Sequence, residues 1–130
     1  MDTKTEAQEL AQQEGYDFMA AVFEVYNELG SGFLEEVYHE CLESELTSRG
    51  IPYSSKVKLG ISYKDRPLKK TYEADLVIGD KIIVELKAAK ILAPEHEAQL
   101  INYLKATHKR VGYLINFGAF PRLQWKRFVV

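Results

Sequence analysis

Residues 111–117, Val-Gly-Tyr-Leu-Ile-Asn-Phe, are apolar at almost every position. A half-buried strand alternates apolar and polar residues, because successive side chains leave on opposite faces. A run without that alternation describes a strand buried on both faces near the middle of a sheet. A chain of 130 residues built around such a strand reads as one α/β domain with a single core.

The neighbouring segments are read outward from it. Residues 94–107 carry Ala98, Leu100, Ile101 and Leu104 at helical spacing. Residues 71–78 and 81–86 are strand candidates on either side of Gly79-Asp80, a tight-hairpin dipeptide in reversed order. Residues 51–61 and 62–63 mix β-branched and aromatic residues with polar ones, and residues 64–67 read as a turn. Residues 123–130 form the last strand. Two helices come first. One covers residues 5–29, with Phe18, Ala21, Val22, Val25, Tyr26 and Leu29 as its apolar positions and Gly30 as its stop. The other covers 33–49, with Val37, Cys41, Leu42 and Leu46, and ends at Gly50. The order is helix, helix, three or four strands, helix, strand, strand. No repeat or linker divides the chain, so 1–130 is one domain, with 1–15 a peripheral or frayed helical lead-in.

Composition excludes several classes. No stretch approaches the roughly 20 apolar residues of a membrane-spanning helix, and the polar, acidic first 13 residues are not a secretory signal. One cysteine, Cys41, can form neither an internal disulfide nor a cysteine-rich zinc site. His39, His96 and His108 are scattered without ligand spacing. A soluble, cytoplasmic protein is the expectation. The net charge of −2 hides an asymmetry: residues 1–50 hold 12 acidic and 2 basic side chains, and residues 51–130 hold 7 acidic and 15 basic. The basic part could meet a polyanion, or the two parts could simply neutralise each other in the fold. Lys69 and Lys70 could touch a phosphate backbone, but exposed strand-end charge is the more ordinary account. Trp125 reads as packing.

The chemistry concentrates in Asp75 and Glu85-Leu86-Lys87. Alternation puts Glu85 and Lys87 on one face of a strand with Leu86 turned into the core, and the hairpin brings Asp75 beside them. Two carboxylates and an ammonium then converge where the apolar run Ile82-Ile83-Val84 ends. Hard oxygen ligands of this kind suit Mg²⁺ or Mn²⁺, and Mg²⁺ takes only one or two carboxylates. The competing account is a structural Glu–Lys pair at an exposed strand end. Glu35 and Tyr38, three apart at the start of a helix, share a face; Glu35 could add a carboxylate or simply complement the helix dipole. Gln99 and Tyr103, one turn apart, could hold a phosphate, a base or Lys87.

The run Gly32-x-x-Glu35-x-x-Tyr38 resembles the signature of the GxxExxY protein family. Asp75, Glu85-Leu86-Lys87, Gln99-x-x-x-Tyr103 and the segment from Tyr113 to Gly118 resemble the same family in type and order. That family is placed in the PD-(D/E)xK nuclease superfamily. The resemblance implies a restriction-endonuclease-like core, a mixed sheet flanked by helices. It also implies Asp75 and Glu85 as metal ligands, Lys87 as catalytic lysine and Glu35 as the helix-borne acid. Gln99 and Tyr103 would support them, as in RecB-type nucleases. Ala74 stands where a proline often precedes the aspartate.

The leading expectation is a Mg²⁺- or Mn²⁺-dependent nuclease. Asp75, Glu85, Glu35 and the Leu86 carbonyl would hold the metal, Lys87 would serve the water, and Gln99, Tyr103 and Tyr38 would support the site or the substrate. Nucleic acid, DNA in preference to RNA, is the expected partner, with a homodimer mate or partner protein supplying specificity and no membrane involved. The rival is a non-catalytic accessory domain that binds nucleic acid or protein and retains the nuclease fold. Action on another phosphoester would use the same residues.

Overall fold

A computed structural model describes residues 3–130, with side chains described from Ala11 onward. Its elements are α1 (Thr3–Leu29), α2 (Glu35–Ser48), β1 (Tyr53–Tyr63), β2 (Arg66–Ile78), β3 (Ile82–Lys87), α3 (Pro94–Thr107), β4 (Val111–Asn116) and β5 (Gln124–Val129). They form one mixed five-stranded sheet in the order β1-β2-β3-β4-β5. Only the β3–β4 pair is parallel, joined by the α3 crossover; the other neighbours are antiparallel. Three strands, not four, precede α3. The lead-in is helical from Thr3, Ala11 is already buried in the core, and residues 1 and 2 lie outside the described residues.

The helices divide between the two faces of the sheet. Phe18, Ala21, Val22 and Val25 of α1 and Tyr38, Leu42 and Leu46 of α2 pack on Ile82, Val84 and Leu86 of β3 and on Val111, Tyr113 and Ile115 of β4. Leu100 and Leu104 of α3 cover the opposite face with Ile83 and Leu114. Ala98, expected on the apolar stripe, is exposed. All six residues of β4 are buried, as a strand covered on both sides must be. Gly112 allows the close approach of α3: a Cβ there would stand 2.9 Å from a Leu104 methyl. Burying side chains such as Leu100 and Leu104 contributes roughly 2 kcal/mol each.

The β1–β2 pair departs furthest from the sequence reading. β2 begins at Arg66 rather than residue 71, and the turn is only Lys64-Asp65, both with positive φ. Two consecutive positive-φ residues suit a two-residue hairpin turn. β2 meets β3 only from Leu76 to Ile78, whereas it pairs with β1 from Arg66 to Ile78. Beyond Asp75 the pair therefore continues as a two-stranded ribbon.

Candidate active site

The site is built at the point where that ribbon leaves the sheet. Leu76 and Ile78 face α1 and α2, but Tyr72 and Ala74 on the same strand face α3. β1 switches in step. Tyr53 packs on the α2 side, while Val57, Leu59 and Ile61 pack on the α3 side. The exchange falls at Lys56 and Asp75, which lie between the pairs Ser55↔Leu76 and Val57↔Ala74. Lys56 holds φ at +52°, the left-handed region, which costs a non-glycine residue about 1 kcal/mol.

The break in alternation aims Asp75 at the end of β3. Its carboxylate accepts the Leu86 N–H at 2.7 Å, and its own N–H donates to Glu85 Oε1 at 3.4 Å. Glu85 projects toward α3, away from Leu86, which is fully buried on the other face. Glu85, Lys87, Gln99 and Tyr103 line a narrow recess together with Tyr72 and His96. The Tyr72 hydroxyl donates to Glu85, and its ring stacks on Tyr103 with centroids 4.0 Å apart.

Electrostatics follow from this enclosure. Burial, and after it the charge of Asp75, pushes the Glu85 carboxyl up to about 7. Hydrogen bonds from Tyr72 and the Asp75 N–H, and the Lys87 ammonium, oppose that rise. Burial and the Glu85 charge hold the Tyr72 phenol protonated well above its ordinary range. Glu35 opens α2 and stays exposed. Its carboxyl is raised by partial desolvation and by Asp75, and lowered by Lys87, so it senses the site.

Sequence and structure differ at Tyr38. It shares no surface with Glu35: it is fully buried, stacks on Phe117 at 4.5 Å and donates its hydroxyl to the Gly30 carbonyl. It also accepts the Phe33 N–H at 3.3 Å, so its hydrogen bonds hold the turn that delivers Glu35. Gln99 is exposed at the rim of the recess, and Tyr103 is half-buried beneath it. Trp125, expected as packing, is exposed on one side and stacks on Tyr113 with centroids 6.1 Å apart.

Two contributors do not stand out in the sequence as site residues. Tyr72 leaves a signal only in its distance from Asp75, and the face exchange hides that signal. Asn116 leaves a clearer one, a lone amide inside an apolar run. It is fully buried, and its side chain accepts the Ala89 N–H at 2.9 Å and the Gly118 N–H at 3.1 Å. It donates to the Ala89 carbonyl at 2.8 Å and to Gln124 Oε1 at 3.2 Å. Gly118 lies against the same loop, since a Cβ there would stand 2.5 Å from Ala89 N and O. The backbone just after Lys87 is thereby fixed.

Among the described residues no three of His, Cys, Asp and Glu stand close enough to form a ready metal cluster. The donor set is instead a pair, Asp75 and Glu85. Leu86 turns its N–H toward Asp75, and a strand residue's carbonyl leaves on the same side as its N–H. All-oxygen donors with one or two carboxylates fit Mg²⁺ or Mn²⁺, and a cation would relieve the repulsion within the pair.

A mixed α/β sheet ending in a carboxylate pair and a lysine is the architecture of one nuclease class. A family model described as PD-(D/E)XK nuclease superfamily matches residues 12–128. The chain belongs to that superfamily. No curated protein matches it. A solved structure described as the crystal structure of SSO0001 is similar in fold, with 22% identity and a TM-score of 0.56 over 72% of this chain. The present chain spans about half of that protein, 48% of its length. No helix among the described residues is long and apolar enough to cross a membrane.

Proposed function

We propose that this chain is a divalent-metal-dependent nuclease of the GxxExxY group, cleaving phosphodiester bonds at Asp75, Glu85 and Lys87. The observation that carries the reading is the convergence of these three at the end of β3. Asp75 reaches the Leu86 N–H, and Glu85 and Lys87 line one recess. Asp75, Glu85 and the Leu86 carbonyl would hold Mg²⁺ or Mn²⁺, with Glu35 on the side that faces Asp75 and Lys87. When bound, the ion would polarise the phosphate and neutralise charge on the leaving oxygen.

The chain's own groups do the rest. Tyr72 occupies Glu85 Oε1, which orients that carboxylate and would leave its second oxygen for the metal. The Lys87 ammonium orients the attacking water and offsets charge that builds on the phosphate. Asn116 fixes the loop that follows Lys87, so the lysine's backbone stays in place as the substrate binds. Gln99, at the rim, is placed to meet a phosphate or base.

The test is cleavage of labelled single-stranded DNA, double-stranded DNA and RNA with Mg²⁺ or Mn²⁺ by wild type and Lys87→Ala. Metal-dependent cutting that falls at least 100-fold in the variant supports the nuclease and gives its substrate. Cutting by neither protein, or by both equally, would sink intrinsic activity and favour the non-catalytic accessory domain.

A further inference from the structure

The β1–β2 ribbon starts at Asp75 and touches the carboxylate pair only at its base, through Tyr72. Past Asp75 its backbone no longer pairs with β3, and residues 62–71 are exposed throughout. Its base rests on the α3 side through Val57, Leu59 and Ile61, so it is held in one direction from the sheet. It carries Lys58, Lys64, Arg66, Lys69 and Lys70 against only Asp65 and Glu73. None of these five cations forms an ion pair with a described residue. The acidic excess of the chain lies in α1 and α2, which pack on the opposite face of the sheet. The resulting field directs a polyanion to the ribbon side.

We propose that this ribbon is a duplex-DNA arm, lying in the major groove and presenting a neighbouring backbone phosphate to the Asp75–Glu85–Lys87 site. The proposal rests on the nuclease reading for the site's role, but not for the arm's binding. A two-stranded ribbon fits the B-form major groove, about 12 Å wide. The deep, narrow major groove of duplex RNA does not admit it. Single strands are gripped by successive stacking rings, and the arm's exposed portion offers one ring, Tyr63. From Lys56 to the turn the ribbon runs roughly 25 Å, about seven base-pair steps of duplex at 3.4 Å each. Lys69 and Lys70 are therefore not strand-end charges but lie within the arm's length.

The experiment is fluorescence anisotropy with a labelled 20-base-pair DNA duplex, in EDTA, across a salt series. It compares wild type with the combined variant Lys64→Ala, Arg66→Ala, Lys69→Ala, Lys70→Ala. Without divalent metal the result is independent of cleavage, so arm and nuclease reading can fail separately. The variant should bind roughly 100-fold more weakly at 0.1 M salt. Its slope of log affinity against log salt should be shallower by about 3 to 4, near 0.9 for each phosphate that the variant no longer neutralises. Lys105→Ala with Lys109→Ala, at the opposite end of the sheet, should bind like wild type. Methyl green, a major-groove ligand, should displace the protein, and netropsin, a minor-groove ligand, should not. An unchanged thermal melt by circular dichroism checks that the exposed substitutions leave the fold intact. Equal binding by the arm variant, tighter binding of duplex RNA or single strands, displacement by netropsin alone, or no binding by wild type would each overturn the proposal.

Discussion

β3 and β4 are enclosed on both faces, while the β1–β2 ribbon beyond Asp75 pairs its backbone only with itself, and its far portion is exposed. The carboxylate pair sits on the border between them. Glu85 belongs to the enclosed region and Asp75 to the first residue past it, where the ribbon exchanges faces. The difference teaches how a small domain serves two opposed needs. A rigid, desolvated strand end fixes the chemistry, and an exposed ribbon starting at the same residue leaves room for a polymer.

Substitutions should separate the two regions sharply. The largest effect is expected at Asn116. Asn116→Ala removes four hydrogen bonds and leaves loop backbone groups at residues 89 and 118 unpaired. At about 1 kcal/mol for each of the three half-buried groups left unsatisfied, the loss should approach roughly 3 kcal/mol. Leu68→Ala, on the exposed ribbon, should stay within about 0.5 kcal/mol. Urea unfolding of the two variants measures the contrast, and similar losses would erase the border.

A smaller effect should appear with pH. In the metal-free protein the Glu85 carboxyl is raised from 4.5 to about 7 in the fold. A raised carboxyl favours folding while protonated, so that stability is present below about pH 4.5 and lost as pH rises to about 7. The melting temperature of wild type in EDTA should therefore fall by several degrees from pH 5 to pH 8, relative to Glu85→Gln, and added Mn²⁺ should restore it. Parallel profiles for the two proteins would mean that burial and the Asp75 charge do not raise the Glu85 carboxyl in the fold.

The smallest effect belongs to the face exchange. Lys56→Gly removes the left-handed strain at φ +52° and should raise stability by about 0.5 kcal/mol, whereas Lys56→Val should lower it by about 1 kcal/mol or more. A melt in which glycine is the worse residue would contradict the strained exchange.

Legibility followed burial. The unbroken apolar run of β4 and the span of α3 were readable because core strands and helical spacing leave local marks. The convergence of Asp75, Glu85 and Lys87 was readable from strand alternation and the hairpin. The first residues of β2 were not. Arg66 to Lys70 are held in a strand by pairing with β1 and bury nothing that would mark them. The exchange at Asp75 was hidden for a different reason. Tyr72, Ala74, Leu76 and Ile78 keep one parity in sequence, although the chain divides them between two faces. The partnership of Tyr72 with Glu85 was lost with it. Tyr38 was expected to support the site beside Glu35, and the Gly30 carbonyl that accepts its hydroxyl in the core gives no sign in sequence.

The central claim is that Asp75 and Glu85 together make a divalent-cation site at this border. Titration of Mn²⁺ into the metal-free protein, followed by electron paramagnetic resonance, tests it most directly. The account predicts saturable binding by wild type, near-complete loss in Asp75→Asn with Glu85→Gln, and weaker binding in Tyr72→Phe with the fold unchanged. Binding that survives the double substitution, or its absence in wild type, would contradict it.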